Sequence, residues 1–175
     1  MNAIGFDCSL NSSGFAYRRG GEIVTGTIRL KNIKGFERLS FIRDSVLEII
    51  RKSDAELLTI EGYAMGYLKG KSSMLYDRAE ITGIIKMLAL DSGMCILIVP
   101  PTSLKAFATG NGRADKSFIT VAIANRWGYR VTQNDEADAF VLLKMGELYK
   151  DKRAFRCLDK KSIDSLKKCE FISLN

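Results

Sequence analysis

The chain has 175 residues, 46% of them hydrophobic, which suits one folded domain with a real core and excludes an intrinsically disordered chain. Its net charge of +7 is compatible with a polyanionic partner and equally with a solvated basic surface. There is no histidine, which removes the most usual general base, Ser-His-Asp and Cys-His catalysis, and zinc sites built on imidazole. Chemistry in such a chain must rest on carboxylates, lysines, hydroxyls or cations held by oxygen, and clustered Asp and Glu select hard cations such as Mg²⁺ or Mn²⁺.

No apolar run approaches the roughly 20 residues of a membrane span, and the N-terminus lacks the pattern of a signal peptide. The four cysteines, Cys8, Cys95, Cys157 and Cys169, form no C-x-x-C pair. Free thiols in a reducing compartment such as the cytoplasm are expected, with no membrane partner.

Residues 3–6 read as a short buried strand ending at Asp7, and residues 14–18 and 22–28 as two more, joined by the turn signal Gly20-Gly21. Phe36, Leu39, Ile42, Val46 and Ile49 recur at helical spacing over residues 36–51. Residues 57–60 form a fourth strand ending at Glu61. A polar loop over residues 63–73 follows, then a helix to about Leu90 that Ser72 or Ser73 can cap. Residues 95–99 form a fifth strand stopped by Pro100-Pro101, with a loop carrying Gly110 and Gly112 after it. Asp115 can cap a helix over residues 116–127 that Gly128 ends, and Asn134 or Asp135 opens a last strong helix to about Tyr149. For residues 151–175 the pattern predicts a short helix and a strand-like end. This order describes an α/β fold: a mixed five-stranded sheet, three strands antiparallel and the rest parallel, with helices on both faces. We read residues 1–175 as a single domain with a basic extension from residue 151.

Four acids stand out. Asp7 and Glu61 close strands, where ligands gather in open α/β sheets. Asp135 and Asp138 are three apart and so neighbours on one helix face. Asp138 also points close to Val141 and Met145, and an acid on an apolar stripe is costly unless something pairs with it. Plainer accounts stand beside these: Asp135 and Glu136 suit the positive end of a helix dipole, Asp7 is a good turn former, and Glu61 suits a surface.

The run Ile4-Gly5-Phe6-Asp7-Cys8-Ser9-Leu10 through Gly14 resembles the first motif of the RuvC family of junction resolvases, within the RNase H-like superfamily. Ile60-Glu61 resembles its second acidic position, and Asp135-Glu136-Ala137-Asp138-Ala139 its last. Lys105, Gly110, Gly112, Ala114 and Lys116 resemble a further stretch of lysine followed by G-x-G-x-A-x-K. The similarity runs in order over residues 3–150. It implies an RNase H-like nuclease, bacterial or phage, that cuts four-way DNA junctions as a two-fold homodimer through two-metal hydrolysis. It further implies Asp7 as the ligand bridging two Mg²⁺ or Mn²⁺ ions, Glu61 on the leaving-group ion, and Asp135 and Asp138 on the ion carrying the water. Lys116 and Lys105 would bring charge to the phosphate or nucleophile, and Gly110 and Gly112 would admit the DNA backbone. The family's aromatic wedge falls here at Ala64, flanked by Tyr63 and Tyr67. These tyrosines offer stacking surfaces for unpaired bases, or are plain half-buried loop residues. Lys69, Lys71 and Arg113, with Arg18 and Arg19, are candidate phosphate contacts.

Other classes fit the sequence less well. Residues 135–138 spell DEAD, and Gly66 to Ser72 sits between a strand and a helix, but it has three residues between its glycines where a phosphate-binding loop needs four. Actin-like ATPases share the opening pattern but need two such domains. A nuclease acting on RNA or RNA–DNA hybrids, and a non-catalytic DNA-binding module, remain open on the same fold.

Overall fold

The computed structural model describes residues 2–63, 72–151 and 158–173, and for residues 72–75 and 150 the backbone alone. A six-stranded sheet, ordered β3-β2-β1-β4-β5-β6, forms the centre. β1 (Ala3–Asp7), β2 (Ser12–Arg19) and β3 (Glu22–Arg29) are antiparallel; β4 (Leu57–Glu61) and β5 (Cys95–Val99) run parallel to β1. The sixth strand, β6 (Glu170–Ile172), adds antiparallel to β5 and caps an edge that five strands would leave open. It is the strand-like end predicted for the C-terminus, placed in the sheet.

The helices are α1 (Gly35–Ser53), α2 (Ser72–Asp91), α3 (Pro101–Thr109), α4 (Lys116–Trp127), α5 (Asn134–Lys150) and α6 (Lys160–Lys167). α3 was expected to be loop. Its proline sits at the first helical position, where a missing N–H costs nothing, so Pro100-Pro101 ends a strand and also starts a helix. Asp115 occupies the expected cap position of α4, though without a side-chain cap bond, and α5 opens at Asn134 as expected, with Gln133 before it. No described helix is long and apolar enough to cross a membrane.

Strand alternation sorts the core into two layers. Ile4, Phe6, Leu58 and Ile60 face α1 and α2, packing with Ile42, Val46, Ile81 and Ile85. Ala3, Leu57, Leu97 and Val99 face the other way, onto Phe140, Leu143, Phe107 and Ile123 of α5, α3 and α4. Asp7 and Glu61 continue the second series, so both belong to the face that α5 covers.

α5 lies on that face at backbone distance because glycines leave room for it. A Cβ on Gly5 would stand 2.5 Å from the Leu143 nitrogen and collide with the Ala139 carbonyl. On Gly14 it would stand 3.1 Å from the Glu136 nitrogen and overlap Asp135, and on Gly146 it would drive into Thr59 and Ala3. At Gly5 and Gly14 the obstacle is backbone, which cannot rotate away. Gly5→Ala is expected to cost about 3 kcal/mol, a fall in Tm of roughly 6–12 °C for a chain of this size. Scanning calorimetry checks it, and a Tm within 2 °C of the unaltered protein would refute the close-packing account.

Candidate active site

The parallel register Phe6↔Ile60 carries the ends of β1 and β4 side by side and so brings Asp7 next to Glu61. Gly14 pairs with Asp7 across the other side of β1. Through the gap left by Gly14 the first turn of α5 reaches the sheet, and Asp138, one turn in, is delivered above Asp7. Asp7 and Asp138 are 5% and 6% exposed, so they form a buried carboxyl cluster at the sheet's carboxyl edge.

Two cations answer it. Lys116, first residue of α4, holds Asp138 Oδ2 at 2.9 Å. Arg78 of α2 holds Glu61 Oε2 at 3.3 Å. Asp135 is half-buried at the edge of the cluster and accepts a short hydrogen bond from the Ser12 hydroxyl. With their carboxylates turned onto Lys116, Arg78 and Ser12, no three His, Cys, Asp or Glu residues are drawn up as a metal cage among the described residues.

The titration behaviour follows from this geometry. Burial, then the negative charges of Asp138 and Glu61, push the Asp7 carboxyl up to about 8, against the weaker pull of Lys116 and Arg78. Glu61 is raised too, first by burial and then by Asp138, with Arg78 opposing. Partial burial works against the Lys116 ammonium, but Asp138, Asp7 and Asp135 outweigh it and raise its pKa. Cys8, beside Asp7, is driven up to about 12 by burial and that neighbour, so its thiol is inert.

Arg78 and Ser12 were not foreseen. Each meets its partner only across the sheet or an intervening loop, and neither residue type carries a local signal. Lys105 is half-buried on α3, and among the described residues no ion pair links it to the acids. Gly110 ends α3 in a left-handed conformation (φ 76°), its N–H bonded to the Ala106 carbonyl at 2.8 Å. Gly112 packs against Thr102, and Arg113 is exposed on the turn that follows. Tyr63 is exposed, its hydroxyl 3.4 Å from the Ala79 carbonyl, with the Lys86 ammonium 5.4 Å from its ring centre. Tyr67, Lys69 and Lys71 lie outside the described residues. Arg18, a candidate phosphate contact, is paired with Glu147 at 2.9 Å.

The model of the family described as crossover junction endodeoxyribonuclease RuvC matches residues 3–143. The chain belongs to the RuvC family. RuvC of Renibacterium salmoninarum is 27% identical, over 81% of this chain and 77% of its own length. RuvC of Rhodopirellula baltica is 28% identical, over 82% of this chain and 84% of its own. Among solved structures, Thermus thermophilus RuvC in complex with a Holliday junction substrate superposes with a TM-score of 0.70 at 17% identity, covering 85% of this chain and 94% of that one. A second structure of Thermus thermophilus RuvC superposes with a TM-score of 0.66 at 18% identity, covering 82% of this chain and 91% of that one. These likenesses establish the RuvC fold for the present chain, and the family match spans all four acids.

The raised Asp7 pKa has a stability consequence. A carboxyl whose folded pKa lies above its unfolded value near 3.8 favours folding fully only below that value, and the advantage is lost as pH climbs to about 8. In chelator the protein should therefore lose Tm steadily between pH 4 and 8. Asp7→Asn, which keeps the shape and removes the charge, should melt roughly 5 °C higher than the unaltered protein at pH 8, with the gap closing near pH 4. Melts across that range check it; a gap independent of pH would contradict the burial account.

Proposed function

We propose that this RuvC-family protein is an endonuclease that cleaves four-way DNA junctions with the help of divalent cations. The observation that carries the reading is the buried Asp7 carboxyl grouped with Glu61 and Asp138 at the sheet edge, where Lys116 and Arg78 offset only part of the acids' charge. The acids grouped with it, Glu61, Asp138 and Asp135, offer carboxylate oxygens, which fit a hard cation such as Mg²⁺ or Mn²⁺. Asp7, Glu61, Asp138 and Asp135 would hold two such ions, which supply an activated water and stabilise the departing 3′ oxygen.

The chain's own residues prepare for that chemistry. Burial of Asp7 under α5 keeps bulk water from screening the acids. Lys116 is half-exposed beside Asp138, so its ammonium can serve a phosphate once the carboxylate turns to another partner. Arg78 balances Glu61 in the same manner. Around them, Lys105 and Arg113 offer phosphate contacts and Tyr63 an exposed ring for an unstacked base.

Two matched cuts in a two-fold substrate require two sites in two-fold relation. An apolar groove of about 450 Å³ between α1 and α2, lined by Phe36, Leu39, Ile84, Met87 and Leu88, supports a second copy of the chain as the partner. Phe36 and Met87 are 88% and 57% exposed there, a cost that self-association would relieve.

The test is cleavage of matched linear, Y-shaped and four-way DNA with the metal varied. We expect cutting of the four-way substrate with Mg²⁺ or Mn²⁺, and Asp7→Asn to lower it by about 10³-fold or more while junction binding persists. Divalent ions should also raise the Tm of the unaltered protein and leave that of Asp7→Asn nearly unchanged. Intact junctions under all metals would end the nuclease reading. Better cutting of RNA–DNA hybrids would end the resolvase reading and leave the metal site standing.

A further inference from the structure

α6 and β6 lie beyond residues 3–143, the extent of the family match. α6 is firmly seated. Leu166, Ser162 and Ser165 are buried against α3 and α4. Arg126 of α4, with its guanidinium carbon 5.0 Å and 4.9 Å from the Phe107 and Trp127 ring centres, donates to the Phe107 carbonyl and to Ser162 Oγ at 3.0 Å. Asp159 caps the helix, accepting from the Ser162 N–H at 2.9 Å, and faces Arg126 at 3.7 Å. The negative charge of Asp159 is thus committed.

Lys160 and Lys161 are the first two residues of α6, and both are exposed. Cations at a helix N-terminus oppose the helix dipole, and no ion pair compensates either lysine among the described residues. A locally unfavourable choice on a well-anchored helix marks a place where function overrides stability. The two lysines rim an open cavity of about 520 Å³ shared with Thr109, Gly110, Arg126 and Asp159, whose carboxylate faces Arg126 and the Ser162 N–H. Lys161 Cδ lies 3.9 Å from where a Cβ on Gly110 would stand. From Gly110 the chain runs six residues to Lys116, whose ammonium is on Asp138. Six residues span at most about 20 Å, so the mouth of this cavity at Gly110 lies no farther than that from the backbone of Lys116.

We propose that α6 is an accessory DNA-backbone clamp: Lys160 and Lys161 grip the phosphates of a duplex arm outside the catalytic cluster. The proposal rests on the junction-nuclease reading above. It assigns α6 a partner of uniform negative charge, so the grip is indifferent to base sequence and adds to affinity through release of counterions.

The experiment uses the full chain and a synthetic four-way DNA junction, with Lys160→Gln/Lys161→Gln against the unaltered protein. Binding is measured from about 50 to 200 mM salt in Ca²⁺ or chelator, to keep the DNA whole. We expect affinity at 0.1 M salt to fall about 5–10-fold and the slope of log K against log salt to shrink by about 1.8, two contacts at 0.9 each. Cleavage at saturating protein should be unchanged, and Tm should stay level or rise, since the substitutions remove a clash with the helix dipole. An unchanged slope overturns the clamp while the nuclease reading stands. A matching loss of Tm overturns it too, because the lysines would then be structural. If the unaltered protein does not bind the junction at all, both readings fall together.

Discussion

Everything at the candidate site depends on how closely α5 lies against the sheet. Helices ordinarily pack on sheets through a layer of side chains. Here Gly5, Gly14 and Gly146 remove that layer along one line, so backbone meets backbone and side chain. The contact fixes the height of the α5 first turn above β1 and hence the position of Asp138 over Asp7. A normal side-chain layer would lift the helix by the size of a methyl group or more. The acids would then separate into water, and the electrostatic coupling that raises Asp7 and Glu61 would disappear.

That coupling is a stability cost held in place by the rest of the fold. Buried like charges oppose folding, and Lys116 and Arg78 relieve them only in part. The offset comes from the two apolar layers, with Phe6, Phe107 and Phe140 fully buried on either side of the sheet. Strain at a rigid edge of this kind is characteristic of sites built to receive an external partner. The two lysines opening α6 repeat the pattern on a smaller scale: an element well anchored by Leu166 and the Arg126 contacts carries charges its own backbone disfavours.

Much of the fold was legible along the chain because its signals are local. Alternation marked the strands, and Asp7 and Glu61 closing β1 and β4 could be read as edge acids before any strand was placed. α3 was missed because Pro-Pro stops a strand and starts a helix with the same chemistry, and nine residues give too short a period to settle which. The sixth strand was read as strand-like but not assigned to the sheet, since its three residues pair only with β5, more than seventy positions earlier.

Residue types, their order and their local periods are properties of the chain, and they sufficed for every element but α3, the exclusion of imidazole chemistry and the choice of four acids. Which cation faces which acid was decided only in three dimensions. Arg78 reaches Glu61, Ser12 reaches Asp135 and Arg18 turns to Glu147 because helices and strands distant in sequence close on one another. The pairing energy depends on burial and on separations of a few ångströms, and no pattern confined to neighbouring residues encodes either.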